Sequence, residues 1–220
     1  MQRMRPSGPF RFRRAPLRCQ KGFSFVEVLI ASTIFVMVLL GIYVVYETNQ
    51  STYVRGEGDT GIQQNARVAL DQINRELLMA GYDPNKVMAK PGTGISNFVM
   101  QNLGATSVKF LADVTGDGTT EVVQFSYDST NKCVRRQVWE TVYNAGTNQW
   151  DIGTTAGAQA VTENNTIDSL TFTYRDESNA VTANDYAVKR IEVSLTASVR
   201  AGTQGTQSYA LNSDIRPRNL

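Results

Sequence analysis

The chain has 220 residues, with 22 Lys and Arg against 20 Asp and Glu, 41% hydrophobic residues, two cysteines and no histidine. That length suits one globular domain of ~100–200 residues plus an appendage, and nine Phe, nine Tyr and two Trp give enough apolar material for a core. The missing imidazole excludes Ser-His-Asp and Cys-His nucleophile systems and histidine zinc sites, and removes the side chain best poised for proton transfer near neutral pH; no enzyme is expected.

Residues 1–22 carry Arg3, Arg5, Arg11, Arg13, Arg14, Arg18 and Lys21 and no acid. The remainder holds 15 cations against 20 acids, a formal charge of −5. The basicity thus belongs to the leader, and a nucleic-acid partner is disfavoured. Cys19 lies in the leader and Cys133 far downstream, so loss of the leader leaves one thiol and no intramolecular disulfide.

Residues 23–46 form an apolar run of 24 residues whose only charge is Glu27. A helix of roughly 20 residues crosses a hydrocarbon core of ~30 Å. The positive charges before it place the N-terminus in the cytoplasm and the body outside, by the positive-inside rule. The run exits through Tyr46-Glu47-Thr48-Asn49, which offers no small-x-small cleavage site for an ordinary signal peptide. Arg13-Arg14 and Cys19 fit twin-arginine export and lipoprotein processing equally badly. Glu27 needs a reason: a carboxylate inside a membrane helix costs ~2.5–3.5 kcal/mol unless it is paired or lies near the interface.

The string Lys21-Gly22-Phe23-Ser24-Phe25-Val26-Glu27-Val28-Leu29-Ile30 resembles the class III signal of type IV pilins and type II secretion pseudopilins. In that family a basic leader ends in glycine, followed by an aromatic residue, a glutamate four residues on, and an apolar helix. The resemblance implies cleavage between Gly22 and Phe23 by prepilin peptidase, and N-methylation of the new Phe23 amine. It also implies that Glu27 lies beside the first-residue amine of a neighbouring subunit inside a fibre. An ammonium–carboxylate pair in low dielectric is favourable only while matched, so it would enforce subunit register.

Between Glu47 and Gly61 the chain turns polar, and Gly56, Gly58 and Gly61 predict a kink, a frayed stretch or a short break in any helix. Ile62, Ala66, Ala69, Leu70, Ile73, Leu77 and Ala80 then recur at helical steps, an apolar stripe that the protein's own sheet would cover. Gly81 and Pro84 end it. The string Gln64-Asn65-Ala66-Arg67-Val68-Ala69-Leu70, with Asn74-Arg75-Glu76-Leu77 and Ala80-Gly81-Tyr82, is similar to the second half of the helix in PilW-type minor pilins and their J-type pseudopilin relatives.

Beyond Ala80 the period becomes two: Val108-Lys109-Phe110, then Val123, Phe125 and Tyr127, then Leu170, Phe172 and Tyr174, and most clearly Ile191, Val193, Leu195, Ala197 and Val199. Turn-forming stretches at residues 128–131 and 143–148 separate them. The fold class is α+β: a long N-terminal helix whose first half spans a membrane, packed on an antiparallel β-sheet head. The domains are then a leader (1–22), a helix (23–80, transmembrane over 23–46) and an extracytoplasmic head (81–220). The segments 172–176, 189–196 and 214–220 extend the resemblance to PilW-like proteins. Cys133 cannot close the C-terminal disulfide loop of many major pilins, which favours a minor subunit.

Asp113, Thr115, Asp117 and Glu121, with the Thr119 carbonyl, offer oxygens around a glycine turn of the kind calcium takes, although Gln124 stands where an EF-hand needs glutamate. Asp117-Gly118 between alternating strands reads equally as a hairpin turn. No other cofactor is expected.

The resemblance implies a structural minor pilin that takes part in type IV pilus assembly. Its partners would be other pilins and minor pilins, prepilin peptidase and an inner-membrane assembly platform. It would sit in the inner membrane as a single-pass protein before entering the fibre or its tip. A J-type pseudopilin of type II secretion is the alternative. From another class, a membrane-anchored extracytoplasmic enzyme or binding domain would need converging polar residues, and Asp71, Glu76, Asp128 and Glu140 show no such spacing. An Arg135-Arg136 patch for DNA phosphates competes with an ordinary exposed strand face.

Overall fold

The computed structural model describes residues 22–95, 99–155, 157–200 and 206–219. The basic leader before Gly22 therefore lies outside the described residues. The chain divides into two compact units, Met1–Gln50 and Ser51–Leu220.

In the first unit a helix, α1 (Phe25–Leu78), begins directly after Gly22, Phe23 and Ser24, which belong to no helix or strand. Its opening turn is built from local signals. The Val28 N–H donates to the Ser24 carbonyl at 3.2 Å, making Ser24 the N-cap. Glu27, the third residue of the helix, turns back so that its Oε2 accepts the Ser24 backbone N–H at 2.9 Å. A Ser-x-x-Glu spacing at a helix start satisfies orphan amides in this way, and the carboxylate also complements the positive end of the helix dipole. From Phe25 to Gln50 every side chain is exposed. The segment is long and apolar enough to cross a membrane.

The second unit contains the remainder of α1, which continues without a break through Gly56, Gly58 and Gly61, contrary to the interruption those residues predict. The glycine penalty of ~1 kcal/mol each is set against propagation of a helix that continues on both sides of the segment. The predicted stripe is the buried face: Ala66, Ala69, Ile73, Leu77 and Ala80 are inaccessible, Leu70 nearly so, and Ile62 partly buried. Three residues after the end of the helix, Gly81 takes φ +85°, donates its N–H to the Leu111 carbonyl at 2.8 Å, and lies so close to Asn219 that a Cβ would fall 2.6 Å from its carbonyl oxygen. Only glycine suits that position.

The antiparallel head is divided between two sheets. The first has the order β1 (Met100–Gly104), β2 (Ser107–Ala112), β3 (Glu121–Asp128), β4 (Cys133–Asn144) and β5 (Gln149–Thr155), with the short β6 (Gln159–Ala160) also on β4. The second is β7 (Ile167–Arg175), β8 (Arg190–Arg200) and β9 (Thr206–Ile215). In β8, Ile191, Val193, Leu195 and Ala197 all point into the core, as the alternation predicts. They share one cluster with the α1 stripe, with Leu170 and Phe172 of β7, and with Phe110 and Phe125, whose rings stack at 6.4 Å across the β2–β3 pair. A smaller cluster of Val87, Ile95, Leu111 and Val122 packs on the far side of the first sheet, with Trp139, Trp150 and Ile152 against it. Burying each large aliphatic side chain is worth about 1.5–3 kcal/mol, so α1 is fastened to the sheets mainly by its stripe.

One buried charge joins helix and sheet. Glu76 of α1 is 8% exposed, and both its carboxylate oxygens accept the Arg136 Nε–H at 2.8 Å, while the Gln72 amide donates to Oε1 at 3.1 Å. Arg135 pairs with Asp128 at 2.8 Å. Both arginines of the proposed phosphate patch are therefore engaged by carboxylates, and Glu76 and Asp128 are structural partners of them.

Candidate functional site

The processing segment is built from the helix start outward. Gly22 and Phe23 lie outside any helix, and Phe23 is 88% exposed. A Cβ at Gly22 would meet nothing within 4 Å, so no packing within the chain demands glycine there. The bond between them therefore lies outside the helix, beside an exposed side chain. One turn further on, Glu27 is held back toward this segment by its bond to Ser24. Phe23, Ser24 and Glu27 therefore cluster at the mouth of α1, followed at once by exposed Phe25, Val26, Val28, Leu29 and Ile30.

That cap changes how Glu27 is understood. The membrane argument asks for an outside partner, yet the carboxylate already has one inside the chain. The Ser-x-x-Glu spacing ahead of an apolar run was the signal for it. The two roles are compatible, because an ionised carboxylate has about four acceptor sites and the amide takes only one of them.

The acidic turn between β2 and β3 brings Asp113, Thr115, Asp117 and Glu121 together, while Thr119, whose carbonyl is the predicted ligand, bonds Asp117 through its N–H. Carboxylate oxygens of Asp113, Asp117 and Glu121 lie within 4.8 Å of one another. Asp113 and Glu121 are almost fully buried, whereas Asp117 is exposed. Asp113 accepts the N–H groups of Gly116 at 2.6 Å and Gly118 at 3.0 Å. Glu121 accepts the Val114 N–H at 2.9 Å and the Thr115 hydroxyl at 2.8 Å. Thr119 gives its N–H to Asp117 at 2.7 Å. That bond is the main reason the Asp117 carboxyl lies below the usual range. Burial pushes Glu121 the other way, and the charges of Asp113 and Asp117 add to its rise. Chemically this is an oxygen cluster of the type hard cations accept, already laced by five donors of its own loop. Gly116 and Gly118, at φ +74° and +86°, let the turn close, so the hairpin and the oxygen cluster are the same structure.

Cys133 is buried at the start of β4 and unpaired.

Comparison with known proteins bears on the N-terminal segment alone. The family model described as the prokaryotic N-terminal methylation motif matches residues 17–43. The match supports the type IV pilin and pseudopilin family, and indicates a pilin-like or pseudopilin protein processed by prepilin peptidase. With the α+β layout of one long apolar N-terminal helix and antiparallel sheets, the match is consistent with a membrane anchor in that helix and suggests an association with pilus-type assembly machinery in general. No curated protein and no solved structure matches the chain.

Proposed function

We propose that this protein is a structural, non-catalytic minor pilin of the PilW type that takes part in assembling a type IV pilus. Prepilin peptidase cuts between Gly22 and Phe23, the Phe23 amine is methylated, and the chain waits in the inner membrane as a single-pass protein with its head outside the cytoplasm. It then enters the fibre or its tip beside other pilins. The observation that carries this reading is the register at the mouth of α1: a Gly22–Phe23 bond outside the helix, Glu27 folded back one turn later, and an unbroken apolar surface behind it.

In the fibre, Glu27 keeps the Ser24 amide on Oε2 and receives the Phe23 ammonium of a neighbour on Oε1. The helix is stored in lipid and used in the fibre for the same reason: its apolar side chains lose little on exchanging acyl chains for neighbouring helices. The test is detection of the head in sheared, purified fibres. Recovery with pilus fibres that depends on the pilus assembly ATPase supports the proposal, and recovery only with the type II secretion apparatus refutes it.

A further inference from the structure

We infer that the head carries a binding cleft for an acidic sugar, a saccharide ring bearing a carboxylate or similar anionic group, formed by Lys86, Lys90, Tyr143 and Trp150. This inference is independent of which fibre the protein enters. The cleft has a volume of about 470 Å³, and Asn85 and Ala89 complete its lining. That size suits one or two sugar rings, since small-molecule sites span roughly 300–1,000 Å³.

Four features make it a constructed site. The Tyr143 and Trp150 rings stand 5.3 Å apart with their planes at 58°, and Tyr143 is 45% exposed. Trp150 is fixed from behind by the smaller core cluster. The two walls are tied together: Asn148 Oδ1 accepts both the Lys90 ammonium, at 2.9 Å, and the Tyr143 hydroxyl. The base is fastened by paired backbone bonds, Trp150 N–H to the Lys90 carbonyl at 2.9 Å and Gly92 N–H to the Trp150 carbonyl at 2.7 Å. Gly92 allows this close approach, because a Cβ there would fall 2.6 Å from the Trp150 oxygen.

Both walls also hold side-chain-bearing residues in the left-handed region, Lys86 at φ +58° and Asn148 at φ +56°. Such backbone costs of order 1–3 kcal/mol and concentrates at sites where the placement of a side chain matters. For Lys86 the conformation is held by Asp83, which takes the Val87 and Met88 N–H groups at 2.9 Å each and so spends its charge away from the cleft.

The chemistry selects the ligand. Among the described residues neither Lys86 nor Lys90 has a carboxylate within ion-pair distance, and what sets them apart from other cations without one, such as Lys109 and Lys189, is that both line the same cleft. Two unneutralised ammonium groups beside aromatic rings call for an anion with an apolar face. A flat nucleobase stacks on only one of two rings inclined at 58°, whereas a puckered sugar presents C–H groups to both. A polynucleotide would in addition need a longer track of cations for its phosphates. Two lysines suffice for one anionic sugar.

The test is isothermal titration of the full chain in detergent micelles with trigalacturonate, its fully methyl-esterified form, and oligothymidylate of ten nucleotides. Saturable binding of trigalacturonate with a Kd of about 1 mM or tighter is expected, with the ester bound at least about fivefold more weakly. The double variant Lys86→Gln/Lys90→Gln should weaken it by at least about fivefold, and Tyr143→Ala, at an exposed position that spares the core, should do the same. No saturable heat with trigalacturonate up to about 10 mM, equal binding of the ester, unchanged binding by the lysine variant, or tighter binding of the oligonucleotide would each overturn the assignment.

Discussion

At Glu27, charge and hydrogen bonding can be separated by a single substitution. Glutamine at the third helical position still offers an oxygen to the Ser24 N–H, which the carboxylate now takes at 2.9 Å, but it has no charge for a neighbour's ammonium. Glu27→Gln is therefore expected to be cleaved normally and to enter fibres at least about tenfold less, a factor equivalent to about 1.4 kcal/mol per subunit. Glu27→Ala, lacking the cap as well, should in addition fray the first turn. Immunoblots of membrane and fibre fractions read both effects, and normal incorporation of the glutamine variant would refute the register role. A second residue-scale case is Glu76. Its carboxylate holds Arg136 in a part-buried pair, so Glu76→Ala leaves a guanidinium without its acceptor. Losing one partner of a buried pair costs about 3–5 kcal/mol, and the 24% exposure of the arginine side chain places this case at or below the lower bound. Urea unfolding of the full chain in detergent, followed by tryptophan fluorescence, measures it.

At the scale of elements, the sequence was most legible where one period ran undisturbed. The α1 stripe from Ala66 to Ala80 and the alternation of β8 appear in the structure as read, because each has one buried face and one wet face. β4 was hidden for a physical reason: Arg135 and Arg136, adjacent and both charged, are neutralised by Asp128 across the β3–β4 turn and by Glu76 of α1, sixty residues away in sequence. The register shift between Trp139 and Thr141 breaks the alternation further along. β9 is Thr, Ser, Gln and Asn for much of its length and owes its place to ten successive pairings with β8. The glycines of α1 misled in the other direction. A Cβ at Gly56 or Gly61 would touch nothing, so alanine at both is expected to stabilise the helix by about 0.5–1 kcal/mol each, seen as raised helicity and slower proteolysis at this segment. If either alanine lowers stability, the unbroken helix is wrong there.

The acidic turn belongs to the same scale. Its residues were found from sequence; the five internal donors were not, because which backbone N–H groups face inward depends on the left-handed Gly116 and Gly118. Those donors already hold the turn closed without a cation, so millimolar calcium is expected to leave the thermal midpoint of the full chain unchanged. A calcium-dependent rise that disappears in Asp113→Asn would show instead that a cation completes the turn. Acid should act on the turn through Glu121. Its folded pKa is raised by burial, so the charged form is penalised, and its contribution to stability falls as pH rises from the ordinary glutamate value through the folded one.

For the molecule as a whole, two surfaces of opposite character share one chain. Large apolar side chains from Phe25 to Tyr46 are all exposed, far more than a monomeric soluble protein leaves in water. The head from Ser51 onward encloses its own core. The division makes sense if the first surface is always covered by something other than the chain itself, lipid at one time and neighbouring helices at another. Removal of a basic leader is the event that would free the mouth of that helix for its second use, since it exposes an amine beside Glu27 and deletes seven positive charges that favour the cytoplasmic face. Intact-mass and N-terminal peptide mass spectrometry of the chain expressed with and without prepilin peptidase tests this most directly. The account predicts a protein beginning at Phe23, carrying an added methyl group on its amine, only when the peptidase is present. A chain that keeps residues 1–22 in its presence, or is cut at any other bond, would contradict it.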